Sequence, residues 1–542
     1  MPTRHTANFK QGRGGQRGAA LMVMLVLLVV SVAAILVNSL TTTSLKNARK
    51  AQTAAALAQA KEALIAYAVN DANRPGELPC PDFNNDGMIT LSPDYSGSNC
   101  KTLVGWLPWQ TLGLPDLRDG NGDRLWYALA NPFHANGTAI LNSDTPANYS
   151  LPILNPAQML TVIDGATGAT LESGVIAIVF SPGTVLQGQT RSYSDSNATT
   201  ALPNYLEADN ANLNTTFQTA NDNQVPAPTP TVNDRLLTID GRDLFPPVER
   251  RIAREAKACL DNYAATSAGK YPWAAPVADS SSSPGINGNY NGTYGKYFGR
   301  IPAQPSIDTT SNPASTLMTA LNTLQAAEAA YNSSNSSANQ NALYIAANTV
   351  VGLKYSVSNI SSSTIDHAGD TGTSYANNPS ASNYTNASSA LTTATSALTS
   401  SGDLDTSMSI SWPPTCALLN NLPYFWTAWK NLVFFQVANG YQPGGSTGLS
   451  GGIAGFGTPL TINGSGTYRA TVLIARAAIN STQLAARNTA PGTNPPTPYL
   501  EGINPHSGST PTTTFETYGP TDPNYATVND LVLCLDGGNQ CK

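Results

Sequence analysis

The strongest constraint on this chain is that it carries the same passages twice. TVNDRLLTIDG at 231–241 returns as TVNDLVLCLDG at 527–537, with seven of eleven positions identical. PNYLEADN (203–210) is answered by PYLEGIN (498–504), TTFQT (215–219) by TTFET (513–517), and IVFSPG (178–183) more weakly by VLIARAA (472–478). The matches keep their order, and ordered self-similarity means one structural unit folded twice. Upstream, AKEALIAYA (60–68) pairs with AKACLDNYA (256–264) and YALAN (127–131) with FQVAN (435–439). The gap between these last two marks is longer in the second copy, so that copy holds an insertion on the order of a hundred residues. The Ser/Thr/Asn/Gly-rich tract at 278–410 is where composition places it.

Each copy reads as a helix followed by strands. GVIAIVF (174–180), RLLTI (235–239), LVFFQVA (432–438), ATVLIA (470–475) and LVLCL (531–535) are short, apolar and bounded by turn residues. Strand runs after a helix predict an α+β fold, a helix packed on an antiparallel sheet, here in tandem. The second helix is expected to be capped by Asp243, to begin near Pro246-Pro247, and to show Val248, Ile252, Cys259, Leu260 and Tyr263 on one face. Within the insertion, Leu317, Leu321, Leu324 and Tyr331 keep helical spacing, as do Leu343, Ala346, Ala347 and Val350, and then Leu391, Ala394 and Leu398. The polar stretch 354–390 reads equally well as disordered chain. The seven tryptophans are expected in the two cores, mostly at matching places.

The amino terminus sets the function. Ala19 to Val37 is an uncharged apolar run broken only by Ser31, preceded by Arg4, Lys10, Arg13 and Arg17. At about 1.5 Å per residue such a run just spans a bilayer core of roughly 30 Å, and it is long for a secretory signal. The basic leader favours a cytoplasmic N-terminus. From Leu45 to Val69 there is no Gly or Pro and Ala recurs, so the helix is expected to continue to about Asn70. A discarded signal cut near Val37–Ser39 is the competing reading.

A short basic leader ending in Gly18, followed by an apolar helix starting Ala19-Ala20-Leu21, resembles the type IV prepilins and type II secretion pseudopilins. The resemblance covers about fifty residues. It implies cleavage by a prepilin peptidase between Gly18 and Ala19, N-methylation of the new terminus, and a retained helix (Ala19, Leu21, Val23, Leu27, Val30, Leu36) that packs into a filament core. The fifth mature residue in that family is usually Glu. Here it is Val23, which cannot neutralise a neighbour's buried amine, and members lacking that Glu tend to be minor or tip components. The family's tip pseudopilin also carries a large insertion in its head.

The resulting layout is a cleaved leader (1–18), a transmembrane and stem helix (19–70), a first pilin-like head (71–242) and a second (243–542) holding the insertion. The implied location is the bacterial inner membrane as a single-pass precursor with its C-terminal bulk in the periplasm, then a filament or the cell surface. Implied partners are the prepilin peptidase, other pilins or pseudopilins, the inner membrane, and a surface or secreted-protein ligand at the heads. A net charge of −6 with interspersed signs argues against nucleic acid. Charged residues make up only 11%, against roughly 25% in ordinary soluble domains, a composition common in exported surface proteins.

Six cysteines without metal spacing, Cys80, Cys100, Cys259, Cys416, Cys534 and Cys541, read as disulfides of an oxidising compartment. Cys80 with Cys100 and Cys534 with Cys541 are the nearest pairs, leaving Cys259 with Cys416, but sequence leaves the connectivity open. Two acidic loops could supply oxygen ligands to calcium, the single candidate cofactor. DFNNDG (82–87) offers Asp82, Asn84 and Asp86 but has Pro93 where an EF-hand needs Glu. DLRDGNGD (116–123) offers Asp116, Asp119, Asn121 and Asp123 and loosely resembles the calcium loop of the major pseudopilin head. Asx turns explain both loops without metal. GGSTG (444–448) and GLSGG (448–452) fit G-x-S-x-G but lack the strand and helix that a nucleophile elbow requires, and His134, His367 and His506 are scattered. The chain therefore reads as a non-enzymatic minor or tip subunit of a pilus or secretion pseudopilus. The alternative is a single-span surface adhesin or binding protein that never polymerises.

Overall fold

The computed structural model describes residues 16–134, 141–150, 158–226, 228–277, 290, 292, 295–309, 312–357, 359–420, 424–445, 459–489, 496–506 and 512–535; within the first helix, side chains are described from Thr43 on. That helix, α1 (Gln16–Asn70), is one continuous rod of 55 residues, about 80 Å long. Its alanine-rich outer part has no breaker until Pro75-Gly76. There the Gly76 N–H closes on Ala68 O at 2.9 Å, and Asp71 caps the turn by accepting from Asn73 N and Arg74 N.

After α1 and a two-residue hairpin (Tyr95–Ser96 with Asn99–Cys100), the strands are β1 (Val104–Trp106), β2 (Trp126–Leu129), β3 (Leu160–Ile163), β4 (Thr170–Val175), β5 (Ala177–Ser181), β6 (Thr216–Gln218) and β7 (Arg235–Ile239). They form an antiparallel sheet ordered β1-β2-β5-β7 and a smaller sheet ordered β4-β3-β6, in which β3 and β6 run parallel. The helix α2 (Gly241–Thr266) opens the second series, β8 (Phe298–Arg300), β9 (Val433–Val437), β10 (Leu460–Ile462), β11 (Ser465–Tyr468), β12 (Ala470–Ile474), β13 (Thr514–Phe515) and β14 (Leu531–Leu535). The order is β8-β9-β12-β14 with a satellite β11-β10-β13, and β10 is again parallel to β13. The two series share one topology, including the uncommon parallel pair. Even a backbone crowding point repeats. A Cβ on Gly105 would lie 2.6 Å from Asp82 O, and one on Gly299 would lie 1.8 Å from Ala275 O. Only glycine fits where each edge strand meets the incoming chain.

α1 lies on the first sheet, burying Ala56, Leu57, Ala60, Leu64 and Ala68, while α2 lies on the second and also touches α1. Because α2 is covered on two sides, Leu244, Phe245, Val248, Ile252, Leu260 and Tyr263 are all buried. Each such side chain contributes about 1.5–3 kcal/mol of burial. Its N-cap is Asp240, which accepts from Arg242 N and Asp243 N in a capping box with Asp243. The helix therefore starts five residues before the expected Pro246, because the prolines sit within its first two turns, where few backbone donors are lost.

The connection from β8 to β9 holds a four-helix bundle, α3 (Asn312–Ser333), α4 (Ser337–Gly352), α5 (Ser362–Asn377) and α6 (Ala381–Ser400). The residues read at helical spacing are its core: Leu317, Leu321, Leu324, Leu343, Ala347, Val350, Leu391 and Leu398 are buried. The stretch 354–390 includes all of α5 and the start of α6, which corrects the reading as disorder: Ile365, Ala368, Tyr375 and Ala376 bury enough surface to order a polar helix. Two disulfides join described residues to one another. Cys80–Cys100 closes a loop before β1, and Cys259–Cys416 ties α2 to the chain returning from the bundle. Cys534 is also disulfide-bonded, and Cys541 lies outside the described residues.

Two further expectations are corrected. Among the described residues no helix is long and apolar enough to cross a membrane. The expected transmembrane anchor, and the single-pass inner-membrane placement built on it, are overturned on that finding. Where its side chains are described, α1 is exposed and polar from Thr43 to Gln52, with Lys46, Arg49 and Lys50, and then buries its apolar face against protein. The tryptophans do not match between copies either. Trp106 and Trp126 occupy the register positions filled in the second sheet by Arg300 and Phe434.

Candidate functional site

The acidic loops come together on one side of the first sheet, but each carboxylate is already occupied. Asp82 is buried and accepts from the N–H groups of Asn84 (3.0 Å), Asn85 (2.7 Å) and Gly87 (2.7 Å). Burial pushes its carboxyl up to about 7 against those donors, and Asp86 and Asp94 add to the rise. Asp86 accepts from Asn84 Nδ2 and Met88 N. Asp116 holds Arg118 and Arg124. Burial raises its carboxyl, but the two guanidiniums outweigh that and leave it below the ordinary carboxylate range.

Asp119, fully buried, accepts from Asn121 N (2.8 Å), Asp123 N (3.0 Å) and Ser181 Oγ (2.7 Å). Asp123 pairs with Arg191 at 2.6 Å. Among the described residues no group of three or more His, Cys, Asp or Glu is arranged to hold a metal. The second loop instead docks α1: Gln52 Nε2 donates to Asp119 O, and Gly120 N donates to Thr53 Oγ1 at 3.0 Å. Arg124 joins the two loops through Asn85 and Asp116.

The repeated words of the sequence build a repeated polar core. In the first copy Asp234 Oδ2 accepts from Glu207 N and Asn210 Nδ2, both at 3.0 Å, while Asn210 brackets Gln218 through both backbone groups. In the second, Asp530 Oδ2 accepts from Glu501 N and Asn504 Nδ2, both at 2.9 Å, and Asn504 brackets Glu516. Burial, with the neighbouring glutamate alongside, drives both aspartates well above the ordinary range. An arginine clamps the same loop in each copy. Arg191 donates to the carbonyls of Asn204 and Tyr205, and Arg487 to those of Pro498 and Tyr499. Residues 203–210 and 231–234, and their partners, recur because this lock needs them. The repeat was visible in sequence, whereas the clamp arginines and their role were not, since neither lies in a matching stretch.

An open groove of about 420 Å³ lies where the bundle leaves the second sheet, lined by Gln304 after β8, Asn322 and Gln325 of α3, and Ser411, Trp412 and Leu419 before β9. Trp412 is nearly buried; its indole N–H donates to Ala303 O at 3.0 Å and its ring meets Tyr263 at 5.3 Å. Three separate segments build this groove, so no local motif announces it. In the first sheet the corresponding β1–β2 connection spans only 107–125 and carries no bundle.

The sequence-derived processing and assembly residues lie in α1: Gly18, Ala19, Leu21, Val23, Leu27, Val30 and Leu36 have helical backbone, and their side chains are outside the described residues. Of the two G-x-S-x-G stretches, 446–458 lies outside them as well. His134, His367 and His506 stay apart, and burial lowers His506 to about 4 between Phe298 and Phe515. Compared with protein families, curated proteins and solved structures, the chain finds no match.

Proposed function

We propose that the chain is a non-enzymatic minor or tip subunit of a pilin-like filament, joined to its neighbours through the amino-terminal apolar helix. The observation that carries this reading is the continuity of α1. One unbroken helix begins at the basic leader, stands exposed over 43–52, and only then buries Ala56, Leu57, Ala60, Leu64 and Ala68 on a sheet. A rod whose far end is anchored in a head and whose near end is apolar supports assembly by packing against like rods. The second head and the bundle enlarge the part left to face outward, where a surface or secreted protein would bind.

Calcium is the finer question. At either acidic loop the ion would have to replace backbone N–H and guanidinium donors already in place, so we assign it no role; a calcium titration followed by melting temperature tests this. The filament reading is tested by N-terminal sequencing of the mature protein beside a Gly18→Leu variant. The expected result is a start at Ala19 in the parent and a retained leader in the variant. A mature start at Leu40, or a leader indifferent to the substitution, would overturn it.

A further inference from the structure

We propose that the groove between α3 and the second sheet is a binding site for an uncharged oligosaccharide. It lies within the size range of small-ligand sites, roughly 300–1,000 Å³. Its chemistry is selective: among the described residues no charged side chain lines it, so a phosphate, a carboxylate or a metal ion would find no counter-charge there. It offers instead three carboxamides, a hydroxyl and an indole beside aliphatic surface. Carboxamides donate and accept at once and so match hydroxyl pairs on a pyranose ring, while an apolar face of the sugar meets Ala303, Ile410 and the narrow open margin of Trp412.

Two features separate this groove from an incidental crevice. Gln304 and Gln325 are exposed and Asn322 is half-buried, and their carboxamides engage no other group among the described residues, whereas the buried carboxamides Asn210 and Asn504 of the two heads are tied into the chain. Trp412 is held by Ala303 and Tyr263 before any ligand arrives, so no ordering cost falls on binding. The groove also exists only because of the bundle, which gives that insertion a purpose independent of whether the chain polymerises.

Titration of the full chain with cellotetraose, maltotetraose and chitotetraose, read by calorimetry and saturation-transfer NMR, tests the proposal. The expected result is saturable binding of at least one probe, weakened about tenfold or more in Asn322→Ala/Gln325→Ala, since each lost hydrogen bond is worth about 1 kcal/mol. Both positions are on the outer side of a helix that alanine favours, and an unchanged melt confirms folding; Gln304→Ala serves as a second, loop-borne variant. Absence of saturable binding by all three probes, or binding indifferent to both variants, would overturn it.

Discussion

The guanidinium of Arg487 lies 2.9 Å from the carboxylate of Asp144, and the two residues belong to different copies of the repeated unit. In the first copy the equivalent clamp, Arg191, pairs with Asp123 of its own unit at 2.6 Å. The duplicated arginine has thus been redirected outward and fastens one head to the other. Beside it, Arg476 meets Glu249 of α2 at 2.8 Å with both side chains almost fully buried, and Ser143 donates to the same glutamate. Removing one partner of such a pair leaves an uncompensated buried charge, at a cost of about 3–5 kcal/mol. Arg487→Met should therefore split the unfolding of the two heads into separate calorimetric transitions. Arg487→Met combined with Asp144→Asn should restore part of the coupling, because the orphaned charge is gone.

Asp234 and Asp530 predict a pH dependence of known sign. Burial raises both carboxyls, so the folded chain holds their protons more tightly than the unfolded chain does. Their contribution to stability is complete below the ordinary carboxylate range and is lost as pH climbs through the raised folded values. Asn is isosteric with protonated Asp: its oxygen can accept from Glu207 N and Asn210, and its amide can donate to the Glu207 carboxylate. Asp234→Asn should melt close to the parent at pH 5 and above it at pH 8. An equal loss at both values would show that the raised carboxyl of Asp234 does not set this dependence.

Apolar runs were readable because a short sheet strand with few polar atoms has little choice of conformation. RLLTI is β7 and LVLCL is β14, residue for residue. The spacing of Leu317, Leu321 and Leu324 likewise identified one bundle helix, whereas the buried face of α5 (Ile365, Ala368, Gly369, Gly372, Tyr375, Ala376) keeps helical spacing mostly with alanine and glycine, which carry little apolar signal in a sequence. Site chemistry was less legible. Asp82, Asp116, Asp119 and Asp123 have the composition of a metal loop, and only their donors, backbone N–H groups and arginines from 2 to 68 positions away, show what they do. Position 300 illustrates the same limit. An arginine buried against Phe434 (3.8 Å) and Tyr499 (4.6 Å), where the first copy has tryptophan, cannot be read from a polar residue in a strand.

Glu328 stands alone in the bundle core. It is 2% exposed, its Oε1 finds no donor among the described residues, and Tyr375 is a titratable neighbour. Burial alone pushes its carboxyl up to about 7. The sign is that of the aspartates: bundle stability is complete near pH 4 and declines as pH rises through about 7. Glu328→Gln should remove that decline, and helical circular dichroism melts at pH 6 and pH 8 should then coincide where the parent's diverge.

The docking of α1 rests on a contact that a single methyl group would block. Gly120 faces the backbone of α1 so closely that a Cβ would stand 2.2 Å from Arg49 O, and backbone cannot yield as a flexible side chain would. Gly120→Ala must push the 116–123 loop off the helix, breaking the Gly120–Thr53 and Asp119–Gln52 hydrogen bonds. Overpacking of this kind costs about 1–3 kcal/mol. The loss falls locally, because Asp119 keeps its own turn and Ser181, while the sheet contacts of Ala60, Leu64 and Ala68 lie farther along the rod. Lys46, Arg49 and Lys50 make that stretch a trypsin target, cut only when the helix opens. Cleavage there should accelerate several-fold in Gly120→Ala while the main calorimetric transition moves little. Unchanged cleavage would mean that the rod stays seated without the acidic loop, and that the loop has some other task.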